Sequence, residues 1–221
     1  MFKFISLIVI SLTISQIVVC TKFDPVIRVQ NTSNGNLQED LNEFLNLVPV
    51  DDIRNLTEFF YANDGEMRQS YDYLRDEGFK LVVENISKLS LVKKFITFLN
   101  DSGVDFAESK KRIEKIVLTS EEAKSIVVND ETEGNMGGMN AFFSEALSLI
   151  PQDEVLSLLF VKMEESNSFS SFLEKLNASD YENITDNLKK SQGIQEIYFA
   201  FHAHGIDIME WAKSLRSFFG Y

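Results

Sequence analysis

The chain has 221 residues, with 34 acidic against 21 basic side chains, a formal charge of −13 and a pI near 4.6. Nucleic-acid binding needs Lys and Arg to displace counterions, and no basic cluster exists, so nucleic acid is excluded as a partner and anionic membrane surfaces are disfavoured. The charge reads first as solubility.

Residues 1–20 read as a secretory signal peptide, to be removed before folding is considered. Lys3 gives a short positive start. Phe4 to Val19 is apolar but broken by Ser6, Ser11, Thr13, Ser15 and Gln16, and Val18 and Cys20 suit cleavage before Thr21. The stretch is too short and polar for a good membrane span, so no stable membrane insertion is expected; a retained N-terminal anchor is the alternative. Cleavage removes the only cysteine, leaving no disulfide, thiol nucleophile or thiolate ligand. About 200 residues bury enough apolar surface to fold without such staples. Residues 21–36 form a polar leader.

The rest of the chain repeats itself. Residues 41–117 lie over 143–219 at a constant offset of 102, without a gap. Pro49, Gly103 and Asp105 meet Pro151, Gly205 and Asp207. Glu43, Leu45, Leu47, Asp51, Leu56, Asn85 and Lys111 also meet identical residues. A repeat of this kind governs the fold. It predicts a first helical repeat over 37–118, an acidic and glycine-ended linker over 119–138, and a second helical repeat over 139–221, the two forming one globular unit.

Apolar spacing within each half is helical. Leu41, Phe44, Leu45 and Val48 stand at i, i+3, i+4 and i+7, as do Phe143, Ala146, Leu147 and Ile150. Val92, Phe95, Ile96 and Leu99 repeat the pattern, matched by Ile194, Ile197, Tyr198 and Phe201. Each set puts one apolar stripe on a helix. Pro49 and Pro151 end helix one, and Asp51 and Asp153 are placed to cap helix two. Gly103 and Gly205 suit the left-handed residue after helix five. Asp105 and Asp207 cap helix six, with Glu108 and Glu210 completing pairs like a capping box; Ser179 with Glu182 is a further box. The spacing predicts helices near 37–48, 51–62, 65–76, 79–88, 91–102 and 106–118, and again 102 residues on, twelve in all. A short helix from Glu121 to Val128 fits within the linker. The fold class is all-α.

Six Asn-x-Ser/Thr triplets, at Asn31, Asn55, Asn85, Asn100, Asn177 and Asn183, are candidate glycosylation sites in a secreted protein.

These residues resemble the insect allergen-related repeat family, which includes the cockroach group one allergen, insect midgut microvillar proteins and the nitrile-specifier proteins of butterfly larvae. The resemblance lies in Leu41 to Asp51 and more loosely Phe143 to Asp153, in Gly103-Val104-Asp105 and Gly205-Ile206-Asp207, and in Tyr73, Leu74 and Phe79. It departs at Gln152, at Gly193 in place of Leu91, and at Asn183 in place of Leu81. The resemblance implies twelve helices from two repeats around an apolar cavity. It also implies carriage of fatty acids or phospholipids, and release from the gut lining into the lumen or onto its microvillar surface.

Candidate lining residues in the first half are Leu45, Val48, Leu56, Phe60, Leu74, Val82, Ile86, Phe95, Phe98, Leu99 and Ile113. In the second half they are Leu147, Ile150, Leu158, Leu176, Ile184, Leu188, Ile197, Phe201 and Leu215. A close-packed core uses the same residue types, so composition and periodicity leave core and cavity open; the resemblance favours the cavity. His202 and His204, the only histidines, stand at i and i+2, on different helix faces, and make a poor metal pair. They read as solvent-facing residues at a helix C-terminus. Trp211, Phe218, Phe219 and Tyr221 read as a seal on the last helix. No nucleophile elbow, zinc-protease motif or phosphate loop is present. The expectation is a non-enzymatic monomer without cofactor or metal that carries apolar ligands. The alternatives are an accessory detoxification protein and a structural component of the gut lining.

Overall fold

The computed structural model describes residues 36–105, 115–128, 136–176 and 190–219. The signal peptide, Asn31, Phe106, Glu108, Ile113, Asn177, the Ser179–Glu182 box, Asn183, Ile184 and Leu188 lie outside these residues, as does most of the acidic linker. Among the described residues there are eleven helices and no strand: α1 Leu37–Asn46, α2 Val50–Asn63, α3 Gly65–Tyr73, α4 Glu77–Ser87, α5 Ser90–Asp101, α6 Ser120–Ser125, α7 Gly138–Ser148, α8 Gln152–Glu165, α9 Asn167–Leu176, α10 Gln192–Ala203 and α11 Ile208–Phe218. The fold is all-α. The bounds of α2 and α8 differ by 102 residues at both ends, as do those of α5 and α10.

The helix ends show how local sequence sets these bounds. After α5, Gly103 takes φ +90°, and the N–H of Val104 reaches back to the Leu99 carbonyl at 3.0 Å while that of Gly103 reaches Asn100 at 2.9 Å. After α10, Gly205 at φ +74° makes the same pair of bonds, from Ile206 to Phe201 and from Gly205 to His202. Only glycine takes this conformation without a Cβ clash, and the bonds satisfy carbonyls that the helix end leaves over.

Two caps differ from expectation. Helices α2 and α8 start one residue early, with Pro49 and Pro151 at the cap position and no side-chain cap bond. The Ile53 and Val155 N–H groups bond the proline carbonyls, each at 3.0 Å. Asp51 and Asp153 therefore sit in the first turn, where they meet the positive end of the helix dipole. At α11, Asp207 does cap, accepting from Met209 and Glu210 at 2.9 and 3.1 Å. Its own N–H goes to Asn140 Oδ1 at 2.9 Å, so Glu210 does not close a box there. The reciprocal box instead forms at α6, between Thr119 and Glu122.

The halves are crossed over one another. Helix α7, the first of the second half, packs on α2 and α3 of the first; α1 packs on α8 and α9 of the second. Asp64, fully buried between α2 and α3, fastens the first crossing. Its Oδ1 accepts the Met67 N–H at 2.8 Å and caps α3, while its Oδ2 accepts from Met136 at 2.8 Å and Gly138 at 3.1 Å, at the start of α7. Gly137 and Gly138 both have positive φ, +98° and +60°, and a Cβ on Gly138 would meet Glu66 at 3.2 Å. These two glycines let the chain turn its amides onto one carboxylate oxygen.

The second crossing uses the equivalent position, Ser166. Its hydroxyl donates to Asp40 Oδ2 at 2.5 Å, and Lys162 Nζ lies 2.9 Å from Asp40 Oδ1 and 2.6 Å from Glu43. Burial alone depresses the Lys162 ammonium, but its bonds to Glu43 and Asp40 outweigh that and leave its pKa raised. Helix α10 lies close to the first half as well. A Cβ on Gly193 would stand 3.0 Å from Leu89, so this departure from the family pattern makes room for a neighbouring side chain.

Asp64→Ala would strip one helix of its cap and leave three N–H groups, two of them buried, without their acceptor. The expected loss is roughly 3 kcal/mol, above an ordinary cap deletion. Ser166→Ala, which frees the Phe169 N–H that Ser166 Oγ accepts at 3.2 Å but leaves Asp40 paired with Lys162, is expected to lose about 1–2 kcal/mol. Urea midpoints of the two variants and wild type check the order; equal losses would mean that Asp64 is only a local cap.

Candidate functional site

Crossing the halves brings α1 and α7 to a shared space. A cavity of about 490 Å³ lies between them, within the range of small-molecule sites, roughly 300–1,000 Å³. All four residues of each helix-one stripe line it: Leu41, Phe44, Leu45 and Val48 from α1 and the turn after it, and Phe143, Ala146, Leu147 and Ile150 from α7 and its turn. Helix α9 adds Phe169, Phe172, Leu173 and Leu176, and α11 adds Trp211 and Leu215, with Phe218 and Phe219 at its end. Among the lining residues described, none is Lys or Arg.

Aromatic contacts stiffen this wall. Phe44 stacks on Phe169 across the second crossing at 5.5 Å, and Phe60 meets the wall residue Phe142 edge-on across the first at 5.8 Å. Phe143 stacks on Trp211 at 4.6 Å and 8°. The Trp211 indole N–H donates to Asn140 at 3.1 Å, which fixes the ring. Of the expected seal on the last helix, Trp211, Phe218 and Phe219 are part of the cavity wall, and Tyr221 lies outside the described residues.

Seven of the sequence candidates line the cavity: Leu45, Val48, Leu74, Leu147, Ile150, Leu176 and Leu215. Nine lie off it. Phe60, Ile197 and Phe201 belong to one close-packed cluster, with Leu56 and Val82 against it. Phe95 and Leu99 belong to a second, with Phe98 against it, and Leu158 is half-buried elsewhere. Ile113, Ile184 and Leu188 are outside the described residues, and the Ile86 side chain is not described. The stripes on α5 and α10 therefore fill cores, while those on α1 and α7 face the cavity. The α9 set stands at i, i+3, i+4 and i+7, a stripe readable from spacing, yet only Leu176 of the four is among the sequence candidates.

A short strap forms another side. Ile116 and Val117 line the cavity, and Arg54 ties down the residues around them. Its guanidinium donates to the Lys115 carbonyl at 2.9 Å and pairs with Glu122 at 2.8 Å and Glu58 at 3.1 Å. Hydrogen bonds from Thr119, and then Arg54, hold the Glu122 carboxyl down at about 2. Leu118 N–H donates to the Tyr71 hydroxyl at 2.6 Å. Burial pushes the Tyr71 phenol up to about 12, against a smaller lowering by the Leu118 bond.

The histidines take no part in this site. His204 is exposed and stacks on Tyr73 at 3.6 Å and 10°, while His202 is exposed beside Tyr198. Among the described residues no group of three or more His, Cys, Asp or Glu is placed to hold a metal. Asn55, Asn85 and Asn100 are exposed. Among the described residues no helix is long and apolar enough to cross a membrane.

Residues 36–212 match the family described as insect allergen related repeat, nitrile-specifier detoxification. The chain belongs to this family. The family match begins at Asn36, the cap of α1, and takes in the cavity-lining parts of both halves up to Trp211. The chain is also similar to Protein G12 of Anopheles gambiae, 26% identical over 185 residues that span 84% of this chain and 88% of that protein.

The Tyr71 phenol sets an alkaline limit. Its folded pKa lies above the unfolded value, so its contribution is fully present below pH 10 and is lost as pH rises from 10 towards 12. That loss is expected to reach about 2 kcal/mol. Phenolate absorbance of the folded protein should show one late step near pH 12, absent in Tyr71→Phe. A step common to all tyrosines near pH 10 would contradict this.

Proposed function

We propose that this protein is a secreted, non-enzymatic, monomeric carrier of apolar ligands, fatty acids or phospholipids, in the insect digestive tract. The observation that carries this reading is the cavity itself, about 490 Å³ of space walled by apolar side chains from both halves. Burying one methylene contributes roughly 0.8 kcal/mol. A long acyl chain thus supplies on the order of 10 kcal/mol before ordering costs. Such contacts are non-directional, so selection by chain length is broad. Family membership supports a gut setting, and exposed Asn55, Asn85 and Asn100 are compatible with glycosylation on secretion.

The family description also carries nitrile-specifier detoxification. That favours a second reading, in which the protein redirects the breakdown of a plant toxin. A change in product distribution in a defined toxin assay would support it, whereas lipid content alone would not.

Organic extraction and mass spectrometry of gently purified protein, beside a mock purification, tests carriage directly. The expected result is stoichiometric fatty acid or phospholipid. A folded, never-delipidated sample with no lipid counts against carriage. Delipidation should also lower the melting temperature by about 5–10 °C, as linkage requires for a ligand present near a hundredfold above its Kd. Adding lipid back should restore it; an unchanged melting temperature after verified delipidation would remove the linkage.

A further inference from the structure

We propose that Tyr71 is the specificity-determining residue of the cavity, its hydroxyl donating to the carbonyl oxygen of an uncharged acyl ligand, an ester or an un-ionised acid. The proposal rests on the carrier reading above and deepens it. It follows from accounting for the polar groups in the wall.

Four polar residues border the cavity: Gln38, Thr57, Tyr71 and Asp105. Gln38 is half-buried, its Oε1 accepting the Asp105 N–H at 2.6 Å and its amide donating to Asn42 at 2.8 Å, while Asp105 is exposed. Thr57 is 1% exposed and gives its proton to the Ile53 carbonyl at 2.8 Å, so it has no donor left. Tyr71 is 7% exposed, and its oxygen is taken by the Leu118 N–H at 2.6 Å. A phenol has one proton to donate as well. Among the described residues, nothing accepts the Tyr71 proton. Of the four it is the buried one with an unspent donor.

A buried donor left unpaired costs about 1–3 kcal/mol. A ligand oxygen recovers that and a hydrocarbon does not. The ligand should also be uncharged, because a carboxylate would meet no Lys or Arg among the described lining residues and would be desolvated unpaired. The burial that raises the phenol keeps it a neutral donor throughout the neutral range.

The test compares methyl palmitate with the n-alkane of matching length, each displacing a fluorescent apolar dye from wild type and from Tyr71→Phe. The expected result is a loss of about tenfold in ester affinity with alkane affinity unchanged. A purely structural role for the hydroxyl would lower both together. Should Tyr71→Phe not fold, infrared spectra of carbonyl-labelled ester on wild type decide the point, since donation from a phenol shifts the carbonyl stretch to lower frequency. Equal losses for the two probes, or an unshifted carbonyl, overturn the role of Tyr71 while carriage stands. Failure of wild type to bind either probe overturns carriage and this role together.

Discussion

The structure depends on one buried carboxylate. Asp64 has no exposure to water, and it accepts N–H groups from the starts of two helices that belong to different halves. A carboxylate in that position is costly unless its oxygens are paired, and breaking a buried polar arrangement costs more than its bonds contribute. Here both oxygens are used, and two helix N-termini present their positive ends. The consequence reaches well beyond a cap. Helix α7 supplies much of the cavity wall, and Asp64 is what fixes its first turn against α2 and α3.

The other crossing solves the same problem with different chemistry. Ser166 replaces Asp64, and the carboxylate comes from the opposite side, as Asp40 of α1 with Lys162 beside it. Both arrangements hold the first helix of one half onto the second and third helices of the other. The amide positions follow suit. Gln38 accepts the Asp105 N–H, and Asn140, 102 residues later, accepts that of Asp207. Because the first helices are exchanged, each stands opposite the wall residues of the other half. The cavity is a product of the crossing, which is why neither half alone could line it.

This also explains what the sequence disclosed and what it withheld. Among the described residues the helices, their stripes, and the left-handed Gly103 and Gly205 are local features, set by spacing and by glycine's missing Cβ, and were legible; the expected helices near 106–118 and 181–190 lie mostly outside those residues. The core-or-cavity distinction was not. Leu41, Phe44, Leu45 and Val48 have the same spacing as Val92, Phe95, Ile96 and Leu99, yet the first set faces the cavity and members of the second fill close-packed clusters. Periodicity says which face is turned inward, and only the crossing says what lies opposite. Asp64 was hidden for a related reason. Its counterpart is Ser166, so comparing the halves for identical residues passed over the pair that holds them together. Tyr71 was hidden too, since its polarity matters only once Leu118 occupies its oxygen.

The cavity sets the crossing a physical task. Voids in apolar cores cost roughly 24 cal/mol per Å³ when the surroundings do not collapse. A chamber of about 490 Å³ leaves its apolar wall short of packing contacts, at a cost that grows with whatever part of it stays dry. An empty chamber should therefore tend to close. The buried polar clasps oppose closure, because sliding α1 or α7 inward would separate Asp40 from Ser166 and Lys162, or Asp64 from Met136 and Gly138. Those bonds are directional, whereas the apolar packing that collapse would create is not. The proposed acyl ligand resolves the conflict by restoring dispersion contacts to the wall while every clasp stays made. On this view the clasps keep the chamber open and the ligand stabilises it, so the empty protein is held between two opposed tendencies that only a filled chamber reconciles.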